Sequence, residues 1–230
     1  MEQSRIAGVT PKAEATRQRI LDTALNLFVT KGYEGTTMRD IAAEAGCSLG
    51  LTYRYFARKE DLVLVLYHRL AEELEEQVRT LPRASLAERF YRAMLAQLTL
   101  LAPYRELSGP MFGSALNPQS GVGVFGESTA DVRRQVENVF AMVVTRATDA
   151  PRKSQAGHLA TVLYGAHLAL VLFWLLDRSP DTRATYELLA FTRDMLAMVR
   201  PILVLPPIVK ALARLARIIG PVLGYGSEVA

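Results

Sequence analysis

Between Thr36 and Leu62 the chain reads TTMRDIAAEAGCSLGLTYRYFARKEDL, a run that concentrates side chains suited to gripping a polar edge. Arg39 carries a planar fork of donors that fits the O6 and N7 acceptors of guanine. Gly50 offers bare backbone where close approach to bases is needed. Ser48 and Leu49, with either Leu51 or Thr52, are the other candidate base neighbours. Covalent chemistry finds no comparable grouping. No Ser/His/Asp set or paired carboxylates can be placed on one site, and His68, His158 and His167 lack metal-ligand spacing. The residues point to recognition rather than turnover, with no enzyme activity, cofactor or metal expected.

Those groups need rigid elements to aim them. Thr37 is placed to cap a helix, with Asp40 three residues on to return a bond, and Ile41, Ala42 and Ala45 supply its apolar stripe. Gly46 suits the left-handed conformation that ends a helix, and Ser48 can cap the next within two residues. Two small helices joined so tightly form a helix-turn-helix, whose second member enters the DNA major groove. An earlier helix is expected from Glu14 to Lys31, with Ile20, Ala24, Leu27 and Phe28 at helical spacing and Gly32 ending it. A longer helix from about Arg58 to Arg79 follows the motif.

The stretch from Ala15 to Leu66 resembles the tetracycline-repressor (TetR) family of bacterial transcription regulators. The likeness rests on RQRILDTALNLFVTKGYEGTT before the motif, and on the glycine, tyrosines, Phe56 and Lys59 of YRYFARKEDL after it. The family usually reads Ser-x-Gly-Thr-Leu-Tyr where this chain has Ser48-Leu49-Gly50-Leu51-Thr52-Tyr53. Thr52 thus stands where a core leucine is common, and whether it or Leu51 faces the groove stays open. The resemblance implies that Thr37, Tyr53, Tyr55 and Lys59 anchor phosphates, roles that hydroxyls, phenols and an ammonium suit. It further implies a homodimer on a palindromic double-stranded operator, and a larger C-terminal domain binding a small-molecule effector.

Composition agrees with this reading. The chain has 230 residues, half of them hydrophobic, and a net charge of +4, a mild bias that suits nucleic acid. Its single cysteine, Cys47, excludes an internal disulfide and fits the reducing cytoplasm. Leu159 to Leu176 contains no formally charged residue and has the length of a membrane span. Thr161, Gly165 and His167 interrupt it, and the resemblance puts a dimer-buried helix there, so no membrane is expected.

The expected organisation is all-α. An arm and helix-turn-helix domain occupy 1–60, a connecting helix 61–81, and an effector-binding and dimerisation domain 82–230. Within the last, helices are expected over Leu86–Ala102, around Tyr104–Phe112, after Ser128 or Thr129, over Ser154–Asp177 and over Thr182–Arg200. Residues 113–127 read as a loop. They include a nominal G-x-G-x-x-G at Gly121, Gly123 and Gly126, but no strand precedes it, so a gate beside the pocket fits better than nucleotide binding. The pocket that the resemblance implies has as candidate lining Met94, Leu98, Tyr104, Met111, Phe112, Phe140, Val144, His167 and Trp174. A last helix, residues 207–219, sets Lys210, Arg214 and Arg217 against aliphatic residues and reads as an accessory helix docked by its apolar face.

Overall fold

The computed structural model describes residues 10–105 and 127–223, and no strand occurs among them. The all-α expectation is met. The chain divides into two compact units, Met1–Leu66 and Tyr67–Ala230.

In the first unit, α1 (Pro11–Lys31) starts earlier than expected. Thr10 accepts a bond from the Ala13 N–H, and Pro11 takes the first helical position, where a missing N–H costs nothing. Thr36, fully buried, donates its hydroxyl to the carbonyls of Gly32 (2.8 Å) and Leu27 (3.3 Å), tying the exit of α1 to the start of α2 (Met38–Glu44). After the turn come α3 (Leu49–Tyr55) and α4 (Lys59–Arg79). Ile20, Leu21, Ala24 and Phe28 of α1, Ile41 and Ala42 of α2, Phe56, and Leu62, Val63 and Leu66 of α4 form the core. The boundary between the units falls inside α4, so its first turns belong to the first unit.

The second unit continues α4 and adds α5 (Leu86–Leu101), α6 (Ala130–Thr145), α7 (Lys153–Leu176), α8 (Arg183–Val199) and α9 (Pro206–Leu223). Phe90 of α5, Phe140 of α6 and Tyr164 of α7 stack in sequence, with centroids 5.9 and 6.2 Å apart. Asp149 accepts from the Leu86 N–H at 2.7 Å and so caps α5 from 63 residues away. Asp177 does the same for α8, accepting from the backbone and hydroxyl of Thr185 and the backbone of Ser179. Those bonds hold its carboxyl below the usual range. One described helix, α7, is long and apolar enough to cross a membrane, and half of that apolar window is buried within the protein.

The expected helix around Tyr104–Phe112 and the loop at 113–127 lie almost wholly outside the described residues; only a 3-10 turn at Ala102–Tyr104 and another at Glu127–Thr129 flank them. The last helix runs four residues past its expected end, through Pro221. Packing explains it. Ala216, Gly220 and Leu223 are buried, and a Cβ placed on Gly165 of α7 would sit 3.5 Å from both Ile219 and Leu223. That docking outweighs the one lost backbone bond.

Arg89 is the largest fully enclosed side chain, at 2 % exposure. Its guanidinium donates to the carbonyls of Val143 (3.3 Å) and of Leu81, Pro82 and Val78 (each 3.4 Å). Burial, with Arg146 close by, weakens its hold on the proton. The carbonyls left open where α4 ends thus find their donor in α5. Arg89→Met should strand them, costing about 3 kcal/mol or more in urea unfolding.

Glu137 on α6 is the converse case, 9 % exposed with Oε1 unpartnered among the described residues. Burial raises its pKa from 4.5 to about 7, against the pull of Arg133 and Arg134. A raised carboxyl pKa means the unfolded chain loses its proton first. The penalty on the native state is absent below pH 4.5, grows to pH 7, and is complete above it. Glu137→Gln should therefore raise stability by about 1–3 kcal/mol at pH 8 and leave it nearly unchanged at pH 4.5, read from the melting temperature at each pH.

Candidate nucleic-acid interface and ligand cavity

The helix-turn-helix is fixed by bonds spanning a few residues each. Thr37 accepts from the Asp40 N–H at 3.2 Å, while Asp40 accepts from the Thr37 N–H at 2.8 Å and its hydroxyl at 2.6 Å. Those bonds, with Lys31 3.1 Å away, lower the Asp40 pKa to about 2. At the other end of α2, Gly46 takes φ +62°. The N–H groups of Gly46 and Cys47 then reach back to the carbonyls of Ala43 and Ala42. Ser48 caps α3 by accepting from the Leu51 N–H at 3.2 Å. Cys47 is half-buried in this turn, its sulfur 3.4 Å from the Arg19 guanidinium.

The faces of α3 follow from that start. Thr52 is fully buried and donates its hydroxyl to the Ser48 carbonyl at 3.1 Å. This corrects its place among the base neighbours: Thr52 holds the leucine-like core position, and Leu51 is the partly exposed member of the pair. Helical phase puts Gly50 and Arg54 opposite Thr52, with Tyr53 beside them at 49 % exposure, Leu49 on one flank and Tyr55, half-exposed, on the other. A Cβ on Gly50 would meet nothing within 4 Å. Ser48 and Thr37 are exposed at their helix starts, and Arg39 is exposed on α2. Arg54 escaped the sequence reading, although its four-residue spacing from Gly50 marks it as sharing that face.

Lys59 is more committed than a free anchor. Its ammonium donates to the Tyr33 carbonyl at 2.8 Å and lies 4.3 Å from the Tyr33 ring centre. Tyr33 in turn meets Glu60 at 3.3 Å, and burial first, then Glu60, raises its phenol pKa.

In the second unit a cavity of about 110 Å3 opens between four helices. Its wall takes Tyr67, Leu70 and Ala71 from α4, and Gln97 and Leu101 from α5. Val132, Arg133 and Val136 come from α6, with Thr129 just before it. Tyr164, His167, Leu168 and Val171 come from α7. Burial takes the His167 ring down to about 3, against the pull of a backbone hydrogen bond at Tyr164, so it stays neutral; its ring lies 4.7 Å from that of Phe140.

Of the expected lining, the structure places only His167 in this wall. Met94, Leu98, Phe140 and Val144 are core residues, each at 1 % exposure or less. The difference is one of helical phase: on α5 the cavity-facing pair is Gln97 and Leu101, about 100° and about 60° around from Leu98. Trp174 lies one turn past Val171, covered by the Arg105 guanidinium 5.3 Å over its ring. Tyr104 sits half-exposed in the turn after α5 and outside this wall, and Met111 and Phe112 fall outside the described residues.

A tri-helical unit with a capped, glycine-bearing recognition helix defines a DNA-binding regulator of the helix-turn-helix class. The family model for bacterial regulatory proteins of the tetR family matches residues 20–66, and that for the tetracyclin repressor-like C-terminal domain matches 88–199. The HTH-type transcriptional repressor KstR of Rhodococcus jostii (strain RHA1) is 29 % identical over 171 residues, covering 72 % of this chain and 76 % of that protein. A TetR transcriptional regulator of Nitrosomonas europaea shares the fold at TM-score 0.59 and 23 % identity, over 80 % of this chain and 99 % of the other. So does Thermus thermophilus FadR, a repressor solved with lauroyl-CoA, at TM-score 0.53 and 22 % identity over 80 % and 92 %. The chain belongs to the TetR family of transcriptional regulators.

Gly50→Ala separates recognition from folding. An alanine at the second position of α3, with open space around its methyl, should stabilise the first unit by up to about 0.5 kcal/mol. The same methyl should lower operator affinity at least tenfold, or about 1.4 kcal/mol. Thermal unfolding and DNA titration of the same variant read the two effects.

Proposed function

We propose that this regulator is a cytoplasmic homodimeric repressor that leaves its palindromic operator when a small, largely apolar molecule fills the cavity of the second unit. The observation that carries the reading is the double duty of α4. Leu62, Val63 and Leu66 pack in the helix-turn-helix core, and Tyr67, Leu70 and Ala71, on the following turns of the same helix, wall the cavity. A ligand pressing on those later turns biases the orientation of a helix that the recognition unit is built upon. It shifts operator affinity only by the difference between its affinities for the two arrangements.

Dimerisation supplies the second recognition helix, one helical turn of DNA away, about 34–36 Å. Support for it lies in apolar side chains left in solvent on α7 and α8: Leu172, Phe173 and Leu176 on the first, and Tyr186, Phe191 and Met198 on the second. Exposed apolar residues in such number suit an interface. The lauroyl-CoA bound to the Thermus thermophilus relative supports an apolar effector, and the cavity wall here is predominantly aliphatic.

On DNA, Arg39, Ser48, Leu49, Gly50 and Leu51 are assigned to base edges, with Arg54 beside them, and Thr37, Tyr53, Tyr55 and Lys59 to phosphates. The two classes separate by salt and sequence. Arg39→Ala should cost about 1–3 kcal/mol on the cognate site and relax one base position. Lys59→Ala should weaken all sequences alike and flatten the slope of log K against log salt by about one unit. Fluorescence anisotropy on cognate and scrambled duplexes, across a salt series, distinguishes them. A sequence-blind loss for Arg39→Ala makes that residue an anchor.

A further inference from the structure

The last helix, α9, has more apolar surface than its own docking covers. Ala216, Gly220 and Leu223 share its buried face, on the side where Ile219 and Leu223 approach Gly165 of α7. Leu215, Ile218 and Val222, three and four residues apart, form a second apolar row that stays in solvent, Ile218 at 62 % and Val222 at 69 % exposure. Ile202, Val204 and Leu205 are exposed as well, in and just after the 3-10 turn Arg200–Val204 that leads into the helix. Lys210, Arg214 and Arg217 are exposed along a parallel row, about 100° around the helix.

Charge sets this helix apart. On α4, α5, α6 and α8 an arginine pairs with a carboxylate one turn away: Arg79 with Glu76, Arg92 with Glu88, Arg134 with Asp131, Arg183 with Glu187. Such mixed pairs suit a face that meets only water. Residues 201–223 instead contain three cations and no acidic residue. None of Lys210, Arg214 and Arg217 has an ion pair among the described residues.

We propose that the outer face of α9 rests on the surface of an anionic lipid bilayer, its apolar row seated below the headgroups and its cations on their phosphates. The face is a convex ridge, and a bilayer yields around a ridge. It also supplies anions beside apolar depth, which is what two parallel rows of this kind require. An acidic protein would have to bring both a groove and carboxylates in matching register. A second copy seated face to face would set one row of cations near another, which repel. The contact is peripheral and reversible, and no helix need cross the bilayer. In this one helix it departs from the expectation of no membrane, and it stands whether or not the cavity receives an effector.

Flotation of the full chain with vesicles tests this, using phosphatidylcholine alone or with about one-third phosphatidylglycerol. Two variants accompany the native sequence. One combines Lys210→Gln, Arg214→Gln and Arg217→Gln; the other combines Leu215→Gln, Ile218→Gln and Val222→Gln. Every substituted side chain is exposed, so both variants should melt like the native chain. The native chain should partition onto anionic vesicles about tenfold or more above neutral ones, and less as salt rises. Each variant should lose about tenfold or more of that partition. Equal partition onto the two vesicle types overturns the proposal, as does no partition or a folded variant that binds like the native chain. A charge variant that loses affinity for scrambled duplex DNA assigns the cations to nucleic acid instead. An apolar variant that changes the number of protomers in sedimentation assigns that row to a second copy, and either result also overturns it. Operator binding is read by anisotropy without vesicles, so failure of the regulator reading and failure of the lipid contact are told apart.

Discussion

The end of α4 is the constraint on which the second unit depends. A helix leaves its last carbonyls unpaired, and here several of them turn toward one side chain of the next helix. Arg89 resolves this by bringing a whole guanidinium inside and spreading its donors over Val78, Leu81, Pro82 and Val143. One side chain thereby joins the exit of α4 to α5, which carries it, and to α6. The charge is costly to bury without a carboxylate, and it is tolerated because several carbonyl dipoles face it. The consequence for function is geometric. The far end of α4 is held to α5 and α6.

The recognition unit works on the opposite principle. Each of its joints closes within a few residues: the reciprocal Thr37–Asp40 cap, the left-handed Gly46, the Ser48 cap. No distant partner is needed to define the turn, so the angle between α2 and α3 is set locally. With Thr52 turned into the core, the outward face of α3 presents bare backbone at Gly50, flanked by an arginine and a phenol. That face can approach a groove closely and still reach phosphates at its margins.

Local signals were legible in the sequence for this reason. The caps, Gly46 and the apolar spacing of α1 are all encoded by neighbours along the chain, and the helices of the first unit were readable from them. What depended on distant partners was not. Nothing near Arg89 reveals that its partners include Val143, 54 residues on. The extension of α9 through Pro221 depends on Gly165 in a different helix. For the cavity, apolar and aromatic residues were a poor guide, because Met94 and Leu98 share α5 with Gln97 but fill the core. The better signal was the exception, a glutamine set into an otherwise apolar stripe. Arg54 was missed although its four-residue spacing from Gly50 already placed it on that face.

The central claim is that two copies of this chain read one DNA site through α3. Selection from random double-stranded DNA by the full-length protein, followed by anisotropy titration of the enriched sequence, tests it most directly. The account predicts an inverted repeat, saturation at two protomers per site, resistance to competitor DNA, and log K falling linearly with log salt. A selection that enriches no sequence, or a site saturated by one protomer, would contradict it.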